Sequence, residues 1–303
     1  MFSLLLVIIY IAFISLGLPD SVLGSAWPSM YEELQAPVSY VSILSMIIAG
    51  GTIVSSIFSG KVLAVLGTGK VTAISVAMTA MALFGFSASS AFWMLCLWGI
   101  PYGLGAGSVD ASLNNYVALH YTSRHMSWLH CMWGVGAAVG PYILGAVLTG
   151  GGHWSGGYRT VGFIQLALTV VLFLSLPLWK ERYKTEEGSA AKPLPLKAVL
   201  TIPGARQIMV TFFCYCALEQ TAGQWASSYM VQHGGMPEDL AASLAGLFYM
   251  GITVGRFGSG FLTMRLSDRQ MIWSGVAVCV LGVTLILLPV GEIGIVLGLV
   301  LAG

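Results

Sequence analysis

A chain of 303 residues that is 57% apolar and only 8% charged, with a mean hydropathy of +0.86, is not an ordinary soluble domain, which carries about 25% charged residues. The net charge of +1 offers no basic surface for nucleic acid, and the charges fall in short clusters between long apolar runs, the pattern of many membrane spans. Cys96, Cys131, Cys214, Cys216 and Cys279 lie inside apolar runs with no C-x-x-C pair, so neither a disulfide framework nor a zinc site is expected, and no cofactor is implied.

The first apolar run begins at Phe2 without a basic leader and continues beyond signal-peptide length, so it reads as a retained span. Runs long enough to cross the hydrocarbon as helix lie at about 2–30, 38–66, 71–90, 92–120, 126–150 and 158–179. Residues 180–206 then collect Lys180, Glu181, Arg182, Lys184, Glu186, Glu187, Lys192, Lys197 and Arg206 around Pro193, Pro195 and Pro203, a linker. Further spans follow at about 207–232, 239–265 and 270–290, and a tenth starts near Ile293. From there to Gly303 a helix reaches only about 16 Å, so the expectation is a piece of a longer reading frame.

With the N-terminus inside, cytoplasmic loops and span ends gather Lys61, Lys70, Arg124, the linker cations, Arg265 and Arg269, whereas the opposite loops keep Arg159 and hold Glu32, Glu33, Glu238, Asp239 and Glu292. Gly51–Lys70 aligns without a gap on Gly251–Gln270, matching Gly51 to Gly251 and Ser59-Gly60 to Ser259-Gly260. Asp20, Trp27 and Tyr31 of the first span find near counterparts in Glu219, Trp225 and Tyr229 of the seventh, at spacings that differ by one residue. Spans 1 and 2 therefore echo spans 7 and 8. The expected architecture is an all-α membrane protein of two pseudo-symmetric six-helix halves in the same orientation: 1–179 as the first half, 180–206 as a cytoplasmic linker, and 207–303 as an incomplete second half.

Asp20, Asp110 and Glu219 are the carboxylates well inside apolar runs, and each costs several kcal/mol there unless protonated, paired or hydrated. Arg256 is the cation within a span, and one cation cannot neutralise three acids. Protonation on one side of the membrane and release on the other would couple solute movement to a proton gradient; sodium would serve equally. Asp20 follows Gly17-Leu18-Pro19, so the first span is expected to bend beside its acid. Asp110 and Asn114 are four residues apart and share a helical face, with Asn115 and Tyr116 adjacent. Around Glu219, Gln220 and Gln224 add hydrogen-bonding capacity, while Tyr215, Trp225 and Tyr229 add aromatic faces suited to a hydroxyl-rich ring. Trp225 and Tyr229 also fit an interfacial belt. His130 shares a face with Trp133 and Gly134, where an imidazole can relay protons or join two helices. Gly103, Gly105, Gly107, Gly136 and Gly140 suit close helix packing.

Four local patterns, Leu16–Pro28 (LGLPDSVLGSAWP), Asp110–Val117 (DASLNNYV), Leu129–Pro141 (LHCMWGVGAAVGP) and Tyr215–Tyr229 (YCALEQTAGQWASSY), resemble the fucose-permease-like branch of the major facilitator superfamily. The resemblance implies that Asp20 and Asp110 line a central cavity and serve proton coupling, that Asn114 and Asn115 contact a sugar, and that Glu219 is the acid of the seventh span, followed by a Trp and a Tyr. It departs at Val65, where the superfamily usually places an acid. Gly136–Gly145 (GAAVGPYILG) also approximates the fifth-span pattern of drug-proton antiporters. The expectation is a secondary transporter of a small, sugar-like solute with a coupling ion, multi-pass in a bacterial inner membrane with the N-terminus cytoplasmic. The alternatives are a multidrug or cation efflux antiporter, and a non-transporting receptor or inactive fragment. No metal-ligand cluster, nucleophile elbow or phosphate loop suggests an enzyme.

Overall fold

The computed structural model describes residues 4–179, 198, 200–262, 265–288 and 291–303. The charged stretch from Lys180 to Lys197, to which the sequence assigns the linker, lies outside the described residues. The elements run α1 (Leu4–Asp20), α2 (Val22–Met30), α3 (Tyr40–Leu66), α4 (Thr68–Ser87), α5 (Phe92–His120), α6 (Ser123–Thr149), α7 (Trp154–Leu174), a 3-10 turn (Leu176–Leu178), α8 (Ala205–Gln232), α9 (Glu238–Leu262), α10 (Asp268–Leu287) and α11 (Gly291–Ala302).

The first span is two helices. Pro19 supplies no N–H to the ladder, and the helix breaks at Ser21, immediately after Asp20. The Ser21 hydroxyl donates to the Leu18 carbonyl at 3.3 Å and the Ser25 hydroxyl to that of Ser21 at 2.9 Å. Bent backbone of this kind is tolerated where it faces protein or a hydrated space. α1 and α2 form one span, and with seven other helices they make, among the described residues, eight segments long and apolar enough to cross a membrane. α8 is not among them although it is 28 residues long, because Arg206, Glu219 and four glutamines dilute its apolar character.

Helices α1–α7 pack around one buried core and α8–α11 around a second. Small residues set the spacing. Gly17, Gly136 and Gly140 bring α1 and α6 into backbone contact, and Gly103, Gly105 and Gly107 seat α5 against α3 and α4. The aligned glycines of the internal repeat occupy equivalent seams, Gly51 where α3 meets Gly103-Leu104 of α5 and Gly251 where α9 meets Val300 of α11. Side chain to side chain, a buried glutamine completes the first bundle: Ser15 donates to Gln165 at 2.6 Å, and the Gln165 amide returns a bond to the Ser15 carbonyl at 2.5 Å.

The two bundles meet along α2–α8 and α6–α9. At the end rich in acidic residues the contacts are polar and short. Ser29 donates to Glu238 at 2.5 Å, Thr149 to Asp239 at 2.9 Å, Ser45 to Gln224 at 2.5 Å and the Gln224 amide to Ser42 at 3.1 Å. Deeper in, Ser227 donates to the Ser25 carbonyl at 3.2 Å, and Gly134 faces Thr253. Towards the basic end, residues 206–215 of α8 are exposed. The described contacts between the bundles thus gather at the acidic end and at mid-molecule.

Candidate functional site

The break in the first span delivers the last residue of α1 into the middle of the molecule. Asp20 receives two neutral donors there: the Tyr102 hydroxyl of α5 at 2.8 Å from Oδ1, and the Trp133 indole N–H of α6 at 3.0 Å from Oδ2. Tyr102 is buried, whereas the Asp20 side chain is open to the space between helices. Trp133 is then shared across the bundle boundary. The guanidinium of Arg256, from α9, lies 5.3 Å from the centre of its ring, a cation–π arrangement.

Arg256 has three further partners. Nη2 donates to the Tyr215 hydroxyl at 2.8 Å and stands 3.8 Å from Glu219 Oε2, while Nη1 reaches the His130 carbonyl at 3.4 Å. The Glu219 side chain is 15% exposed and that of Arg256 30%, so the pair is largely withdrawn from water. Asp110 carries an amide instead of a cation, since Asn114 Nδ2 donates to its Oδ1 at 2.9 Å and to its backbone carbonyl at 3.0 Å. Asp20 and Glu219 are linked across the bundle boundary, through Trp133 and Arg256. The result is an excess of negative charge at a joint between bundles, with neutral donors on Asp20 and Asp110 and a loose ion pair on Glu219. Such a centre can take up a proton, a small cation or a ligand with several hydroxyl groups.

The remaining residues singled out from sequence separate into two levels. Asn114 belongs to the centre through Asp110, and Asn115 is half-buried beside it on α5. His130 is adjacent, its carbonyl bound to Arg256 and its ring 5.8 Å from that of Phe13, edge to face. Gln220 is exposed, one residue beyond Glu219. Gln224 sits a turn further on, its amide held by Ser42 and Ser45 at the bundle joint. Trp225 and Tyr229 line a separate cavity of about 390 Å³ with Ser228, Gln232 and His233, and the Tyr229 hydroxyl donates to the Ile286 carbonyl at 3.2 Å. The structure therefore links Asp20 to Glu219 through Trp133 and Arg256, pairs Asp110 with Asn114 on α5, and sets Gln224, Trp225 and Tyr229 towards the acidic end.

A second cavity, of about 580 Å³, opens among α8, α9, α10 and α11. Its wall is mostly apolar, with Phe248, Ile252, Val276 and Val283, and Glu219 and Tyr215 form its polar edge.

Tyr102, Trp133 and Tyr249 were not singled out as site residues from sequence, and Arg256 was weighed only as a counter-ion. Trp133 did carry a signal. An indole N–H in mid-span, away from the interfacial belt, needs a buried acceptor, and Asp20 is that acceptor. Tyr102 and Tyr249 offered none, being aromatic residues in apolar helices.

Fold and centre together define a polytopic helical membrane protein built as two bundles around a polar joint. Residues 9–303 match the Major Facilitator Superfamily, and the chain belongs to that family. A curated relative, Bypass of stop codon protein 6 of Saccharomyces cerevisiae, is 22% identical over 286 residues, covering 86% of this chain and 57% of that protein. The chain thus spans little more than half the length of the curated relative it matches. Among solved structures, the nucleoside transporter NupG superposes with a TM-score of 0.76 at 14% identity, over 98% of this chain and 78% of that one. A D-xylose-proton symporter superposes with a TM-score of 0.71 at 11% identity, with the same coverage. At these identities the likeness is one of fold.

Proposed function

We propose that the protein is a secondary active transporter that moves a small, neutral, hydroxyl-rich solute, a sugar or a sugar-bearing molecule, by alternating access coupled to protons. One observation carries this reading: Asp20 of the first bundle and Glu219 of the second are linked through Trp133 and one cation, Arg256, while Asp110 is met by an amide. Carboxylates are not kept in apolar surroundings at that excess unless protons, water or cargo visit them. Asp20 and Asp110 are the proton-coupling acids, Asn114, Asn115, Glu219 and Gln220 hold the solute, and His130 relays protons beside them. Gln224, Trp225 and Tyr229 act at the entrance. The fucose-permease-like patterns support this assignment, as do a nucleoside transporter and a D-xylose-proton symporter among the structural neighbours.

Residues 1–179 form the first half, 180–206 a cytoplasmic linker, and 207–303 belong to the second half. The distribution of Lys and Arg supports a cytoplasmic N-terminus, and the resemblance supports a bacterial inner membrane. The acidic end is then external and the basic end faces inward.

The deciding experiment reconstitutes the protein in proteoliposomes and follows labelled hexoses, D-xylose and nucleosides under an imposed proton gradient. Accumulation of one of them, abolished in Asp20→Asn, is expected. A second reading, efflux of amphiphilic cations, is favoured by the apolar cavity with Glu219 at its edge. Ethidium extrusion with no flux of the polar solutes would put that reading first, and no flux of either kind would leave a receptor-like protein.

A further inference from the structure

Trp133 touches both sides of the polar centre with different parts of one side chain. Its N–H edge donates to Asp20 in the first bundle at 3.0 Å, and its face carries Arg256 of the second bundle at 5.3 Å. The same Arg256 is 3.8 Å from Glu219, too far for a direct hydrogen bond, while its shorter contact goes to the Tyr215 hydroxyl at 2.8 Å. The guanidinium is therefore divided between a ring and a carboxylate. The ring itself is hydrogen-bonded at its N–H edge by Asp20 and packs edge to face against Tyr249 of α9, ring centres 6.3 Å apart.

We propose that Trp133 is the positioning residue through which the charge on Asp20 sets how tightly Arg256 pairs with Glu219, so that a proton event in one bundle alters an ion pair in the other. The inference rests on the reading that Asp20 exchanges a proton during the cycle.

The physical steps are these. A charged Asp20 accepts a charge-assisted bond from the indole, which is about twice as strong as a bond to a neutral acceptor. That bond fixes the ring plane and keeps its negative face under Arg256. A neutral Asp20 loosens the indole, the platform tilts, and Arg256 moves onto Glu219. Tyr102 also donates to Asp20, but it is Trp133 whose ring carries Arg256. Other groups also act on Asp20: Asp110 from α5, Glu219 from α8 and, across the joint, Tyr249 of α9. His130 and Tyr215 act on the Arg256 side. These set the background against which Trp133 works, and none of them donates to Asp20 while facing Arg256.

Cys214 supplies a readout that needs no solute. It is exposed on α8 towards the basic end and lines the 580 Å³ cavity. In full-length protein with Cys96, Cys131, Cys216 and Cys279 replaced by alanine, alkylation of Cys214 by N-ethylmaleimide is followed from about pH 5 to pH 8. Each rate is normalised to that of the unfolded protein at the same pH, which removes the thiol's own ionisation.

The parent is expected to change its normalised rate by about threefold or more, the scale of one buried polar contact in a membrane protein. Asp20→Asn should give a flat profile. Trp133→Phe, which keeps a ring but lacks the N–H, should flatten it as well. Arg256→Lys keeps the charge without the stacked plane and is expected to do the same, and it serves if Trp133→Phe is not monodisperse. A parent that titrates, an Asp20→Asn that does not, and a Trp133→Phe or Arg256→Lys profile equal to the parent's would overturn the role of Trp133 and leave proton coupling standing. A flat parent profile would overturn both.

Discussion

Asp20 and Glu219 are counterparts in the internal repeat, yet their surroundings differ. Asp20 is met by a phenol and an indole, both neutral, and Glu219 by a guanidinium. A neutral donor can remain hydrogen-bonded to the acid in either protonation state, so Asp20 can change charge without leaving a stranded partner, whereas neutralising Glu219 leaves the Arg256 charge facing neutral partners, the Tyr215 hydroxyl, the His130 carbonyl and the Trp133 ring. Glu219→Gln is therefore expected to lower thermal stability more than Asp20→Asn, by an order of 1–3 kcal/mol, measured as midpoints in the same detergent.

At the surface, Glu33 accepts from the Trp154 indole at 2.7 Å and lies 2.6 Å from His153 Nε2. Partial burial pushes this carboxyl up, but the bonds from Trp154 and His153 and the attraction of the imidazole outweigh it and hold the group below the ordinary range. A group lowered on folding contributes stability that is present above its unfolded value and lost as pH falls through the folded one. Acidification should thus depress the melting temperature of the parent through the carboxylate range, and Glu33→Gln should blunt that fall.

At the scale of helices, the glycine seams decide what can be substituted. A side chain at Gly140 runs into the backbone of Leu18 and the hydroxyl of Ser21, so Gly140→Val is expected to cost about 1–3 kcal/mol or to prevent folding, with size-exclusion profile and thermal midpoint as the measures. Gln224→Ala removes two bonds between α8 and α3 at the closed end and is expected to cost about 0.6–1.7 kcal/mol.

Span positions were legible from sequence because a membrane leaves the backbone few options, and the break beside Pro19 was legible because proline withholds a donor. Side-chain partners were less so. Glu219, Gln220, Gln224, Trp225 and Tyr229 fall on one sequence motif and read as one grip, but a helix rises 1.5 Å per residue, so ten residues carry Tyr229 well beyond the centre. Trp133 and Tyr102 reach Asp20 from spans 113 and 82 residues away along the chain, a pairing that no local pattern encodes.

For the molecule as a whole, the repeat was readable in the alignment of Gly51 with Gly251, and both glycines mark the same kind of seam. The conformation was not readable, since one sequence serves every state of the cycle. Here the acidic end is closed by Ser29–Glu238 and Thr149–Asp239. A Ser29→Cys/Glu238→Cys pair joined by a short bis-maleimide should arrest flux, and cleaving a reducible version of the linker should restore it. Unchanged flux in the cross-linked protein would mean that this end does not open.

Backbone-to-backbone contact at Gly17, Gly136 and Gly140 leaves α1 and α6 no room to slide past each other. Asp20 and Trp133 consequently travel as passengers on one welded pair of rods, and their mutual distance is conserved whichever way the halves tilt. Arg256 rides on the other side of the joint. Any tilt is therefore registered by the stacked guanidinium before the acid's own ligands move, which makes that single stacking contact the molecule's strain gauge.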